Sequence, residues 1–457
     1  MLDRILIMPL SAARLFQCTV ACVQRSRRVC CPRRDRSHAR APRLTPLCLT
    51  FVLAMAAIPA GSAQAGEAAD YAREALASGD WKRAEKELTR HLIEDAGNDE
   101  ARFGLAMVQF VRAIENFGRH HHRYGPKPRQ AVPFLRMPVP VNPSPEVPTY
   151  EIRRAALQTF LDDLTEVEKT LGKMQGKDAT IRVDLEKVRL DFRSKPDTAP
   201  GLESEEPATL MSVVRSMNPV LAPRAPQVSA VPFEVAFDRA DALWLQGYCH
   251  LLSAGLEFVL AYDWRETFAR TAGLFYPRLH LSGEFTPTRQ GVLGDEFAIA
   301  DGVAFIHEIR WQPVEPDRLS KTREHLKRVV ALSRLSWQAI FAETDDEQEW
   351  IPGPAQKNAA MPTMQITQPR VDTWLAALDD FDAVLDGRKL IPHWRFQKGV
   401  NLRRALEEPR MFDLVLWVTG HGAVPYLEDG PVISSETWST WQRVFGGNFL
   451  VFALYLN

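Results

Sequence analysis

The segment Phe237 to Pro277, FDRADALWLQGYCHLLSAGLEFVLAYDWRETFARTAGLFYP, constrains the fold more than any other stretch. Apolar side chains cover so much of its helical circumference that only a core position suits it. It reads as the central helix of a mostly helical domain. At ~100° per residue, Arg239, Gln246, His250, Ser253 and Glu257 project within about 60° of one another, leaving one narrow polar stripe on an otherwise apolar rod. The run from Ala242 to Tyr262 is long enough to cross a bilayer. The interior Glu257, the acidic flanks Asp241 and Asp263, and a stripe that lipid could not satisfy argue against a span.

The stripe carries His, Ser and Glu, the residue types of an acyl-transfer triad. Its spacing does not support one, because His250 and Glu257 sit ~10 Å apart along the axis and Ser253 lies mid-helix with no oxyanion hole in view. His250 and Glu257 stay as candidate ligand-binding residues, and a solvated or hydrogen-bonded face is the reading the spacing favours.

The N-terminal part reads as an export signal. An apolar run from Leu47 to Ile58 follows Arg40 and Arg43, and Ala63-Gln64-Ala65 supplies a small-x-small cleavage pattern. Residues 1–65 are therefore set apart as a signal with a long Arg-rich upstream extension, whose Cys18, Cys22, Cys30 and Cys31 drop out of the fold argument with it. Removing them turns a chain of net charge −1 into a clearly acidic one, which disfavours nucleic acid as a partner. Only Cys249 remains, so no internal disulfide forms, and its place in the central helix predicts a buried, inert thiol.

Residues 66–125 form a unit with helical periodicity. Gly79-Asp80-Trp81-Lys82-Arg83-Ala84, followed by Leu88, Leu92, Asp95, Asn98, Ala101, Phe103, Gly104, Leu105 and Ala106, resembles a tetratricopeptide repeat over residues 68–117. Tyr71-Ala72 and Leu105-Ala106 are spaced by that family's period of ~34 residues. The resemblance implies a helical hairpin and a peptide- or protein-binding face. No third copy follows, so other helices of the chain should cap the hairpin. His120-His121-His122, between Arg119 and Arg123, reads as a solvated helix end, since basic neighbours repel a cation.

A proline-rich connector fills 126–149, and residues 150–457 form a helical domain. Within it, Tyr150 to Met174, Asp317 to Glu343 and Val371 to Leu385 carry helical periodicity, and Ile181 to Phe192 reads as a strand or a short helix. Asp184, Asp191 and Asp197 miss the calcium-loop spacing. Met411 to Val418 and Asn448 to Leu456 are apolar enough to read as buried strands, giving a small C-terminal β element.

His393, Asp413, His421 and Glu428 gather in this last block, with Thr419-Gly420-His421-Gly422 as a turn after the first of those strands. His393, Asp413 and His421 join the candidate ligand-binding residues. The chain after residue 65 contains no GxSxG, P-loop, GxGxxG, HExxH or CxxC pattern, so no catalytic residue, metal ligand or cofactor is expected. The expectation is an exported periplasmic or envelope protein, non-catalytic, binding or scaffolding a protein partner. The alternatives are an envelope hydrolase or metal-dependent enzyme built on the His393/Asp413/His421 region, or a small-ligand-binding protein.

Overall fold

The computed structural model describes residues 66–126, 137–176, 179–193, 208–217, 233–276, 278–279, 294–360, 366–447 and 449–457. The segment expected as an export signal, its expected cleavage point, the four upstream cysteines, Asp197 and part of the proline-rich connector lie outside the described residues. Among the described residues the fold is mostly α-helical, with short two-stranded sheets and one three-stranded sheet.

Three helices come first: α1 (Glu67–Ser78), α2 (Trp81–Glu94) and α3 (Asp99–Tyr124). Gly79 at φ 79° ends α1 in the left-handed conformation that glycine adopts without strain. Asp80 and Asn98 then start α2 and α3 by accepting from Arg83 N and Ala101 N. Small side chains let α1 and α3 approach closely, since a Cβ added at Gly104 would lie 2.8 Å from that of Ala72. Trp81 Nε1 donates to the buried Glu115 carboxylate at 2.9 Å.

Helix α4 (Tyr150–Leu171) is capped by Thr149, whose hydroxyl accepts from Ile152 N. Then come β1 (Ile181–Asp184), β2 (Arg189–Leu190), β3 (Ala208–Thr209), α5 (Leu210–Met217) and β4 (Glu234–Phe237). β1 pairs antiparallel with β4, Ile181 opposite Phe237, and β2 pairs with β3. The 181–192 segment is thus strand, with Ile181 and Val183 alternating into the core.

The central helix α6 (Arg239–Ala261) starts at a capping box in which Asp238 and Asp241 reciprocally bind each other's backbone N–H. It is followed by β5 (Tyr262–Asp263), α7 (Arg265–Phe275), α8 (Gly294–Glu308), β6 (Arg310–Pro313) and the long α9 (Asp317–Ala342). Helices α4 and α9 flank α6. Among the described residues no helix is long and apolar enough to cross a membrane.

The remainder comprises α10 (Gln368–Leu385), β7 (Gly399–Val400), α11 (Leu402–Glu407), β8 (Phe412–Asp413), α12 (Leu414–Thr419), a 3-10 turn (His421–Tyr426), β9 (Leu427–Glu428), α13 (Ser435–Val444) and α14 (Phe449–Leu456). Both apolar runs expected as strands are therefore mainly helical. Asp413 accepts from Leu416 N and starts a helix after only two strand residues. In α14 the buried Phe449, Phe452, Tyr455 and Leu456 recur at helical spacing. An eight-residue apolar run fits a buried strand or a buried helix equally well, and packing decided for helix. α14 docks on the central helix: Trp244 Nε1 donates to Tyr455 O at 2.8 Å, and Asn457 Nδ2 donates to Trp244 O at 3.0 Å. One apolar core runs from Ala68 to Leu456.

Candidate metal centre

The polar stripe of α6 meets polar residues of α4 and α9 at two levels. At one, His250 faces Glu168 of α4 and His325 of α9. At the other, Glu257 faces Gln158 of α4 and Arg318 of α9. α6 therefore runs antiparallel to both neighbours, and the two levels are ~10 Å apart, seven residues along α6.

At the first level one ligand atom from each of Glu168, His250 and His325 lies within 4.8 Å of the others. His250 Nδ1 is 2.8 Å from His325 Nδ1 and 3.4 Å from Glu168 Oε2, while His325 Nδ1 is 3.9 Å from Glu168 Oε1. Donor atoms around a tetrahedral ion with bonds of ~2.0–2.1 Å stand ~3.3 Å apart, so these separations bracket that edge. The carboxylate is positioned in turn: Ser253 Oγ donates to Glu168 Oε1 at 2.9 Å, and Gln246 Nε2 donates to the Glu168 carbonyl at 3.4 Å. Support of a ligand by its neighbours is what metal sites require.

Burial sets the protonation states. It pushes the His250 imidazole down to about 4, with the His325 and Arg328 charges acting in the same sense. It also lowers His325, against the field of Glu257 and Glu324. The Glu168 carboxyl is pushed up to about 7 by burial, partly offset by the Ser253 hydrogen bond and Lys169. At neutral pH the imidazoles are uncharged, so their contacts with Glu168 are not ion pairs. Two neutral rings with Nδ1 atoms 2.8 Å apart need a proton between those atoms, or a cation to which both lone pairs can point. Side-chain exposures of 13% for His250 and 17% for His325 leave a way in for solvent. Three protein ligands with solvent access are the pattern of a site with an open fourth position.

Glu257, also a candidate from the sequence, belongs to the other level. Arg318 Nη1 donates to its carboxylate at 2.7 Å, and the same guanidinium reaches Glu315 at 2.6 Å and Gln158 at 2.7 Å. The open cleft of about 560 Å³ beside Arg318 is lined by residues such as Arg154, Gln158 and Glu315 and includes none of the three ligands. Cys249 is buried, and burial followed by the Glu168 charge raises its thiol, so it is the inert cysteine expected.

The C-terminal candidates do not converge. Asp413 caps α12 and pairs with Arg310 at 3.0 Å. Glu428 is held by Arg404 at 2.9 Å and Asn401 at 2.8 Å. His393 accepts from Arg395 N through Nδ1 and packs against Trp394 and Phe396, while His421 is exposed at the start of the 3-10 turn. Among the described residues Glu168, His250 and His325 are the one group with metal-ligand geometry.

This group corrects the expectation of a non-catalytic scaffold and the leaning against an enzyme. The alternative of a metal-dependent enzyme fits better, at a different place from the His393/Asp413/His421 region. Glu168 and His325 escaped the sequence reading because each looks like an ordinary polar residue on an amphipathic helix, in TEVEKTL and REHLKRVV. The one available signal was His250 on a stripe that had to be faced by something.

Comparison with protein families, with curated proteins and with solved structures finds no match for the chain.

Proposed function

We propose that the protein binds one divalent transition metal through Glu168, His250 and His325 and is a metal-dependent hydrolase. The observation that carries this reading is the convergence of two imidazole Nδ1 atoms and a carboxylate from three different helices. Two histidines and a glutamate are a zinc donor set of hydrolytic enzymes, in which the metal lowers the pKa of a bound water to ~7. Glu168 would lose its proton on binding, and Ser253 would hold the carboxylate in orientation.

The substrate class we favour is an anionic ester. Lys321 and Arg328 lie one helical turn to either side of His325, on its face of α9, and Lys169 follows Glu168. All three are exposed, their charges act on the ligands, and none is paired with a carboxylate among the described residues. On this reading the expected export signal would put the chemistry in the periplasm or envelope, and the N-terminal helices that resemble a tetratricopeptide repeat would support α4 through α3.

The test is hydrolysis of aryl phosphate and aryl carboxylate esters by residues 66–457, before and after chelation. Activity that disappears with chelation, returns with zinc and is missing from His325→Ala supports the reading. Activity indifferent to chelation contradicts it.

A further inference from the structure

A second polar cluster lies at the opposite end of α4, fifteen residues or ~22 Å from Glu168. Arg153 is 7% exposed, and its Nη1 is fully buried without a partner. Among the described residues no carboxylate pairs with it, and its neighbour is the Tyr276 ring, 5.9 Å from Cζ. A guanidinium keeps its charge at any accessible pH, so burying it uncompensated is costly.

Beside it, the C-terminal turn of α3 corrects the expectation of a solvated histidine run. His121 is 2% exposed and His122 is also buried. Nε2 of His120 and of His121 are buried without partners, like Arg153 Nη1. Tyr124, whose ring is 4.8 Å from that of His120, shares one apolar cluster with Ala272 of α7 and with Tyr276, which follows that helix. Burial, then the Arg153 charge, brings both imidazoles down to about 3, so they are neutral.

The donor and acceptor pattern is specific. His121 Nδ1 is 3.1 Å from the Phe117 carbonyl, which can only accept, so Nδ1 carries the proton and Nε2 offers a lone pair. The cluster thus holds a cation without an anion and an acceptor without a donor. A hydrogen phosphate or a phosphomonoester monoanion answers both, giving negative oxygens to Arg153 and its own P–OH to His121. A carboxylate has no proton to give.

We propose that Arg153, His120 and His121 form a binding site for a phosphate-class oxyanion between the end of α3, the start of α4 and α7. The site is independent of the metal centre.

Calorimetry on residues 66–457 at neutral pH, chelated so that the metal centre does not report, tests this with inorganic phosphate, glycerol phosphate and acetate. The expected result is one saturable phosphate per chain, acetate at least tenfold weaker, and at least a tenfold loss in Arg153→Met. Tighter glycerol phosphate assigns the site to an ester, and phosphate alone assigns it to the free ion. In phosphate-free buffer Arg153→Met should melt at or above the parent temperature, because it removes an unpaired buried charge. No saturable phosphate binding by the parent chain, or unchanged binding by Arg153→Met, overturns the proposal. Should that variant fail to fold, histidine NMR of the parent decides: phosphate must raise the His121 pKa from about 3, and an unmoved titration overturns it.

Discussion

Two regions of this molecule bring histidines and carboxylates together, and they differ in what the carboxylates already have. In the C-terminal block the two carboxylates nearest the histidines in sequence are held by arginines: Arg310 holds Asp413 and Arg404 holds Glu428. In the helical centre Glu168 receives one serine hydroxyl and no arginine, and the two imidazoles beside it are left to each other. The first arrangement is complete as it stands and stabilises loops. The second brings three potential metal-ligand side chains together from three different helices.

The largest effect that separates the regions is removal of a ligand. His250→Ala should weaken zinc binding by about a hundredfold or more, beyond the 10–100-fold typical of supporting residues, whereas His421→Ala should leave it unchanged. Zinc titration by calorimetry reads both, and equal losses would erase the contrast.

Next is the pH dependence of the metal-free chain. The folded Glu168 pKa of about 7 lies above the ordinary carboxyl value, so its contribution to stability is full at low pH and is lost as pH rises toward 7. A shift of that size corresponds to ~3 kcal/mol. His250, lowered to about 4, contributes in the opposite sense: its stabilisation is present above ~6.5 and is lost as pH falls through 4. Between pH 5 and 6.5 these two slopes oppose each other in the parent chain, so Glu168→Gln should make the melting temperature rise with pH over that range. Zinc should have the same effect on the parent chain, because ionised Glu168 binds the ion.

A smaller effect is expected from Ser253→Ala. Loss of the hydroxyl that orients Glu168 should weaken zinc binding about 10–100-fold with little change in melting temperature when zinc is absent. The smallest is Asp413→Ala, which removes a helix cap. It should cost about 1 kcal/mol in denaturant unfolding and leave zinc affinity alone.

The sequence displayed one side of the metal centre. The stripe of Gln246, His250, Ser253 and Glu257 on an apolar helix is visible in periodicity alone, and each of the four makes a polar contact with α4 or α9. The opposing side was not visible, because Glu168 and His325 stand 82 and 75 residues from His250, and no spacing rule reaches across helices that pack only in the folded chain. The same limit explains α14, where eight apolar residues carry no period long enough to choose helix over strand, and His121, whose basic neighbours suggested solvent until α4 and α7 were seen beside it.

Metal analysis with X-ray absorption on residues 66–457, purified from the producing cell and then zinc-saturated, decides whether Glu168, His250 and His325 hold a metal. One metal per chain is expected, with two imidazole nitrogens and carboxylate oxygen at ~2.0–2.2 Å, and none in the His250→Ala/His325→Ala double variant. A parent chain that takes up no zinc, or a double variant that binds it as tightly, would rule out a metal centre on these three residues.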